Sequence, residues 1–335
     1  MGGRTLELDE IVGGSEGMQA AQRTISKVAA TDATVLITGE SGTGKELMAR
    51  AVHNLSRRKE RRFVPVDCGA LCPQILESEL FGHVRGAFTG ASADKPGLVE
   101  AAEQGTLFLD EIGNLDPSPQ QKLLRFLECG EYRSLGGVPV RRSDVRVIAA
   151  TNRDLRQDVE EGRFRKDLFY RLNHVHIHLP PLRERRGDLP LLVEHFLKKT
   201  CATLGRPHRD LEPEALEAMT RYPWPGNIRE LAHVIQHLVL MAEGPCLGRR
   251  DLPEDLREMG PDQTTAGGNK FSAARRQAID AFNTSYVAEA LRRNAGNVSL
   301  AARQSGLTRQ NLQALMKRYR IQSKDYRAST PLSPA

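Results

Sequence analysis

The stretch "TVLITGESGTGKELMARAVH", residues 34–53, constrains the fold more than any other. An apolar run leads into glycines at 39, 42 and 44, and a helix-forming segment follows. A loop of this kind lets backbone N–H groups curl round an anion at the positive end of a helix. No side chain stands in the way at Gly39, Gly42 or Gly44, and Lys45 adds a point charge for β- and γ-phosphates. Glu40, Ser41 and Thr43 complete the loop. The pattern is Gly-x4-Gly-Lys, but Glu46 stands where the general motif has Ser or Thr, the usual hydroxyl ligand of magnesium. A plain glycine turn is the bland alternative; the strand–loop–helix setting favours a phosphate loop.

Strand-like runs at 35–38, 63–66, 106–109, 145–150 and 175–179 alternate with helical stretches near 45–56, 73–81, 118–128 and 154–161. This alternation predicts an α/β fold with a mainly parallel sheet between helical layers. Residues 188–243 carry helical periodicity alone, which predicts a small separate helical domain. "EMGPDQTTAGGNK" (258–270) is polar and rich in Gly and Pro, so it reads as a linker. Three further helices are expected after it. The divisions are therefore 1–10 as an extension, 11–183 as the α/β core, 184–257 as a helical subdomain, 271–322 as an all-α domain, and 323–335 as a disordered tail.

Charge separates these parts. Residues 270–335 hold 12 Lys and Arg against 3 Asp and Glu, a net of +9, while the other 269 hold 36 against 39, a net of −3. A basic end on a nearly neutral body fits a nucleic-acid-binding appendage. A solvated basic helix is the alternative on charge alone. No apolar run approaches the length of a membrane span, and no signal-peptide pattern opens the chain. The five cysteines (68, 72, 129, 201, 246) are scattered and form no zinc-ligand pattern, so they read as reduced thiols of a cytoplasmic protein.

Two further segments bear on chemistry. "GTLFLDEIGNL" (105–115) ends a buried strand in Asp110-Glu111. An acid pair there can divide the work, Asp110 holding Mg²⁺ and Glu111 polarising a water. Following a phosphate-loop lysine, the pair makes nucleotide hydrolysis the leading reaction. "VRVIAATNRDL" ends a second buried strand in Asn152, placed to sense a γ-phosphate or, more plainly, to cap a helix. His174, His176 and His178 alternate along a strand and share one face; a partly exposed face is favoured over a metal site. "HVRGAFTGAS" (83–92) puts Phe88 between Gly86 and Gly90, a large apolar residue on what reads as a loop.

Taken together, these residues resemble the AAA+ ATPases. Within them the chain resembles the bacterial enhancer-binding activators of sigma-54 RNA polymerase. Gly86-Ala87-Phe88-Thr89-Gly90-Ala91, preceded by "ESELFGH", is the signature of that branch, and "GESGTGKE" matches it with Glu46 included. The resemblance implies that Gly86 to Ala91 contact sigma-54. It implies that Ile11 and Val12 line an adenine pocket and that Arg229, in "YPWPGNIRELAHVI", is a second nucleotide sensor. Arg165 and Arg171, in "EGRFRKDLFYRL", would act as arginine fingers on a neighbouring subunit's nucleotide, so a homo-oligomeric ring, hexamer-like, is implied. Residues 131–142 resemble the second loop on the ring's sigma-facing surface. Trp224 reads as core packing. Asp67 stands where many relatives have an Asn that pairs with the catalytic glutamate, which would bring two carboxylates together unless one is protonated or turned away.

The basic end, "SYVAEALRRNAGNVSLAARQSGLTRQNLQALMKRYRI" (285–321), reads as a helix-turn-helix. Ser299 is a candidate cap for its middle helix and Thr308 for its last. Ala301, Ala302 and Gly306 are small enough for two helices to cross closely. It resembles the Fis-type domain, so Arg309, Gln310 and Asn311 are expected at base edges, and Gln313, Lys317 and Arg318 at bases or phosphates. Such domains dimerise, which implies palindromic upstream DNA. The resemblance as a whole implies an ATP- and Mg²⁺-dependent activator that remodels the closed promoter complex. The alternative is a DNA-binding regulator whose AAA+ domain controls oligomerisation alone. About ten residues precede the match, too few for a receiver or ligand-sensing domain. Control by a trans-acting regulatory protein is one expectation, and a fragment of a longer regulator the other.

Overall fold

The computed structural model describes residues 11–70, 73–242, 244, 246–257, 289–294, 297–304, 316 and 321. They belong to two compact units, Met1–Met259 and Gly260–Ala335. In the first unit the chain runs α1 (Glu16–Val28), β1 (Val35–Thr38), α2 (Lys45–Asn54), β2 (Phe63–Asp67), α3 (Pro73–Phe81), α4 (Leu98–Ala101), β3 (Thr106–Asp110) and α5 (Pro117–Cys129). A short hairpin, β4 (Glu131–Tyr132) and β5 (Arg141–Arg142), precedes β6 (Arg146–Thr151), α6 (Leu155–Glu160), α7 (Lys166–Leu172) and β7 (Val175–His178). Then come α8 (Leu189–Thr203), β8 (Asp210–Leu211), α9 (Pro213–Arg221), α10 (Asn227–Met241), β9 (Cys246–Leu247) and α11 (Glu254–Arg257).

The five strands expected from the sequence form one sheet, ordered β2-β3-β6-β1-β7, with every pair parallel. Side chains of a strand alternate between faces, and here both faces are covered. Leu36, Leu107, Leu109, Val147 and Ala149 join one core with Leu80 of α3, Leu123 and Phe126 of α5, and Leu168 of α7. Val35, Ile37, Phe108, Ile148 and Ala150 join another with Met18 and Ile25 of α1 and Met48 and Val52 of α2. Burial on both sides is why these strands read as continuous apolar runs. The register pairs Thr38 with Thr151 and Asp67 with Asp110, so the carboxyl ends of these strands share one edge. The chain leaves β1 for β2 on one side and returns to β7 on the other, and ligands of such sheets bind where the order reverses.

Residues from Leu182 to Leu256 build a third core around Leu192, Leu197, Trp224, Leu231 and Ile235. Trp224 is buried, donates its indole N–H to the Met219 carbonyl at 2.8 Å, and meets Tyr222 edge-on. Two features were not expected. Helix α1 precedes the first strand, and β8 and β9 pair in parallel across the helical region. Among the described residues no helix is long and apolar enough to cross a membrane.

In the second unit residues 289–293 are helical, and α12 (Val298–Gln304) follows them. Its entry is capped by Asn297, whose Oδ1 accepts the Leu300 N–H at 3.2 Å, and not by Ser299, which lies inside the helix. Ala301 and Ala302 are buried with Leu291, so their small size does admit a close neighbour. Thr308, Arg309, Gln310, Asn311, Gln313, Lys317 and Arg318 lie outside the described residues.

Candidate functional site

The phosphate loop begins where β1 ends. Gly42 and Gly44 take positive φ values of 80° and 100°, which residues with a Cβ adopt at a cost. Gly44 passes directly into α2, whose first-turn N–H groups have no partner within the helix. Lys45 is buried, and its Nζ donates to the Gly39 carbonyl at 3.0 Å and the Glu40 carbonyl at 3.4 Å. The same Nζ lies 3.6 Å from Glu111 Oε1. Thr43 is buried and bonds back to the Glu40 carbonyl. Glu46 turns outward to Arg50 of the same helix, with Nη2 to Oε1 at 2.7 Å, so its carboxylate serves the helix surface.

Asp110 and Glu111 stand at the end of β3. Asp110 Oδ1 accepts the Glu111 N–H at 3.0 Å. Burial pushes the Asp110 carboxyl above its ordinary range against that hydrogen bond, and Glu111 and Asp67 add to the rise while Lys45 opposes it. Glu111 holds a left-handed backbone, φ 52°, which swings its side chain toward β6. There its Oε2 accepts the Asn152 N–H at 3.3 Å. Lys45, Asp110, Glu111 and Asn152 are thus gathered at one sheet edge. Asp67 Oδ1 accepts the Gly69 N–H at 2.8 Å, while Glu111 is engaged by Lys45 and the Asn152 N–H. Beside Asp67, Cys68 is buried, and with burial first and the three carboxylates after it, its thiol is pushed up to about 12. The four described cysteines, 68, 129, 201 and 246, are free.

The helical region closes over the loop. Arg183 grips Glu40 with both terminal nitrogens, at 2.8 and 2.6 Å. That guanidinium, helped by the Asn227 amide and opposed by burial, holds the Glu40 carboxyl below its ordinary range. Arg229 Nη1 donates to Ser41 Oγ at 2.9 Å, and the Ile228 N–H to the Gly42 carbonyl at 3.0 Å. A Cβ on Gly42 would lie 2.3 Å from the Gly226 carbonyl oxygen, so the lid needs this glycine as much as the loop does. Buried Arg185 donates to the Thr43 carbonyl. Residues 11–15 cross from one core to the other. Ile11 packs with the sheet and Val12 with the helical core, and Asp188 accepts the N–H groups of Gly14 and Ser15. Arg183, Arg185, Asp188 and Asn227 were missed by reading the sequence. The basic run "LRERR" beside the glycine break shows charge near Arg183, Arg185 and Asp188 but not what they bind, and nothing local marks Asn227.

Arg165 and Arg171 lie elsewhere. Arg165 occupies the N-cap position of α7 without capping it and pairs with Asp167, and Arg171 donates to the Leu127 carbonyl. Both are exposed. His176 and His178 share the Thr38 hydroxyl, at 2.7 and 3.1 Å. Burial, with His178 and Arg156 close by, lowers the pKa of His176. Among the described residues no group of three or more His, Cys, Asp or Glu could hold a metal ion.

The Phe88 loop is a turn within a turn. Gly86 N–H bonds the Ala91 carbonyl, and Ala91 N–H the Phe88 carbonyl. Gly86 and Gly90 have φ values of 82° and 106° and nothing within 4 Å of a Cβ, so conformation and not space demands glycine there. Phe88 and Thr89 are exposed, with the Phe88 ring resting edge-on against His83 at 5.0 Å. The base is stitched into the hairpin connection. Val84 N–H bonds the Leu135 carbonyl, Leu135 N–H the Gly82 carbonyl, and a Cβ on Gly136 would lie 2.9 Å from Ala87 Cβ. Val138, in the hairpin connection, is 83% exposed.

Three family models match successive parts of the chain. They are the sigma-54 interaction domain over residues 11–178, the AAA+ ATPase lid domain over 183–269, and the bacterial regulatory protein, Fis family, over 279–319. The chain is 44% identical over 319 residues to the regulatory protein AtoC of Escherichia coli (strain K12), covering 94% of this chain and 68% of AtoC. It is 44% identical over 280 residues to the DNA-binding transcriptional regulator NtrC of Rhizobium meliloti (strain 1021), covering 83% of this chain and 58% of NtrC. The crystal structure of NtrX from Brucella abortus in complex with ATP is similar, with a TM-score of 0.68 at 33% identity over 92% of this chain and 69% of that one. The chain spans about two thirds of the length of AtoC and NtrX.

Proposed function

We infer the function from one premise: the chain belongs to the sigma-54-dependent transcriptional activators, AAA+ proteins with a lid and a Fis-type DNA-binding domain. It is an ATP-hydrolysing ring, hexameric, tethered by its helix-turn-helix to palindromic DNA upstream of sigma-54 promoters inside the bacterial cell. ATP binding and hydrolysis move the loop of residues 86–91 against sigma-54 and remodel the closed complex. The observation that carries this reading is the exposed Phe88 loop, raised in the same unit that gathers Lys45, Asp110, Glu111 and Asn152. The division at 183/184, the linker at 258–270 and the DNA-binding domain at 271–322 are part of the proposal.

The roles follow from chemistry. Backbone N–H groups from 42 to 46 and the Lys45 ammonium hold the β- and γ-phosphates. Mg²⁺ takes oxygen ligands and keeps several waters. The half-buried Asp110 carboxyl, raised first by burial and then by Glu111 and Asp67, is the group that a cation would best relieve. When bound, Mg²⁺ supplies charge neutralisation on the phosphates. With Glu46 committed to Arg50, the protein would hold it through Asp110. Glu111 accepts a proton from the attacking water, Asn152 senses the γ-phosphate, and Arg229 the nucleotide from the lid. Ile11 and Val12 border the adenine.

Arg165 and Arg171 act on the neighbouring subunit's nucleotide. Arg165 spends its guanidinium on Asp167 within its own subunit, an exposed pair that holds it weakly. Arg165→Ala is therefore expected to lower ATP turnover by on the order of 10³-fold while nucleotide affinity stays within about threefold. Steady-state phosphate release with a fluorescent-ADP titration measures both. Unchanged turnover removes Arg165 as a finger.

The function as a whole is tested with purified sigma-54 RNA polymerase on a promoter carrying an upstream site mapped by footprinting. Open complexes are expected with ATP and not with a non-hydrolysable analogue. Deleting 270–335 is expected to abolish upstream binding and leave ATP turnover. Open complexes formed without hydrolysis, or DNA affinity surviving the deletion, would overturn the two-module reading.

A further inference from the structure

One side chain of the lid touches three parts of the molecule at once. Asn227 is fully buried, at the start of α10, with φ 52°. That left-handed backbone is unfavourable for a residue with a Cβ, though less so for Asn than for most, and it persists where surrounding contacts hold it. The Asn227 N–H donates to the Trp224 carbonyl at 2.8 Å. Its Oδ1 accepts the N–H of Leu182, in the connector from the sheet, at 2.8 Å. Its Nδ2 donates to Glu40 Oε2 at 3.2 Å and to the Ser41 carbonyl at 3.0 Å, both in the phosphate loop. Arg229, two residues on, reaches Ser41 Oγ from the same turn.

We propose that Asn227 is a positioning residue for the nucleotide. It pins the first turn of α10 to the phosphate loop, so that Arg229 bears on the phosphates bound there. The proposal rests on the reading of residues 39–46 as the phosphate site. The chemistry calls for a primary amide. One side chain must accept from a backbone N–H and donate to both a carboxylate and a carbonyl. Aspartate keeps the first bond, loses the other two, and faces Glu40 with a second negative charge. Arg183 holds Glu40 from its other side, so the acceptor is fixed before Asn227 meets it.

The test is a double-variant cycle in the full chain, read by a fluorescent ADP analogue with Mg²⁺ and by steady-state ATP turnover. Asn227→Asp and Arg229→Ala are each expected to weaken the analogue about tenfold, equivalent to 1.4 kcal/mol. The double variant made with the uncharged Asn227→Gly and Arg229→Ala is expected to bind no more weakly than the weaker single, because Asn227 works through Arg229. The KM for ATP should rise in step while kcat stays within about threefold, since Lys45 and Glu111 are untouched. Asn227→Gly removes the side chain while easing the backbone, and it should reproduce the loss without lowering the unfolding temperature by more than a few degrees. Affinity within twofold of wild type in Asn227→Asp, or about a hundredfold loss in the double variant, would overturn the role. A wild-type chain that binds the analogue yet turns over no ATP would sink the ATPase reading instead, and the binding cycle would still judge Asn227.

Discussion

Phe88→Ala is expected to leave ATP turnover and upstream DNA binding within about twofold of wild type, and to lower open-complex formation by at least about a hundredfold. The argument is geometric. Phe88 is 42% exposed, and its ring meets His83 in a T-shaped contact at 5.0 Å. Removing it leaves no core cavity and disturbs no group near Lys45 or Glu111. A buried aromatic anchor in a protein interface is commonly worth about 2 kcal/mol or more, and the proposed ring would present it in several copies. Gly86 and Gly90 keep the loop's conformation when the ring is gone. Single-round transcription on a sigma-54 promoter, run beside phosphate release, measures the split. Transcription that persists, or turnover that falls in parallel, removes the loop from the sigma-54 contact.

Glu111→Gln should lower kcat for ATP by on the order of 10²- to 10⁴-fold, the usual contribution of a positioned general base, while nucleotide affinity stays within about threefold. The amide is isosteric, and its oxygen can still accept the Asn152 N–H that the carboxylate accepts at 3.3 Å. What it loses is the capacity to take a proton, together with the attraction to Lys45 at 3.6 Å. Asp110→Asn, at the end of β3, should behave differently, with the deficit falling partly on Mg²⁺ dependence. Turnover of Glu111→Gln within threefold of wild type would assign the base elsewhere.

Much of this was legible in the sequence because the features were local. A strand buried on both faces announces itself as an unbroken apolar run, and all five strands were found. Each observed strand keeps the predicted run to within one residue at its ends, and β2, β3 and β6 reach on to Asp67, Asp110 and Thr151. Polar residues there hide the strand's end from any hydrophobic pattern. The two-residue pair of β8 and β9 is too short to carry a period. Helix α1 is amphipathic but opens on Gly-Gly-Ser, which masked it. Arg183, Arg185 and Asn227 were invisible for another reason. Their partners lie 45 to 187 residues away, and nothing local distinguishes an arginine aimed at the phosphate loop from one aimed at water. The Ser299 cap failed because Asn297, two residues earlier, competes for the same helix start and wins. Arg165 and Arg171 rest on resemblance, since a residue that acts on another subunit leaves no mark in its own.

The hydrogen bonds joining residues 82–84 to Leu135, and the close approach of Gly136 to Ala87, tie the Phe88 loop and the hairpin connection into a single structural piece. Its spelling is therefore split between two distant stretches of the chain. A change at Gly136 or Leu135 edits the loop as surely as one at Phe88, although it lies some fifty residues downstream. Transplanting "GAFTGA" alone into another AAA+ scaffold would carry the finger without its knuckle, and the graft needs residues 131–142 as well.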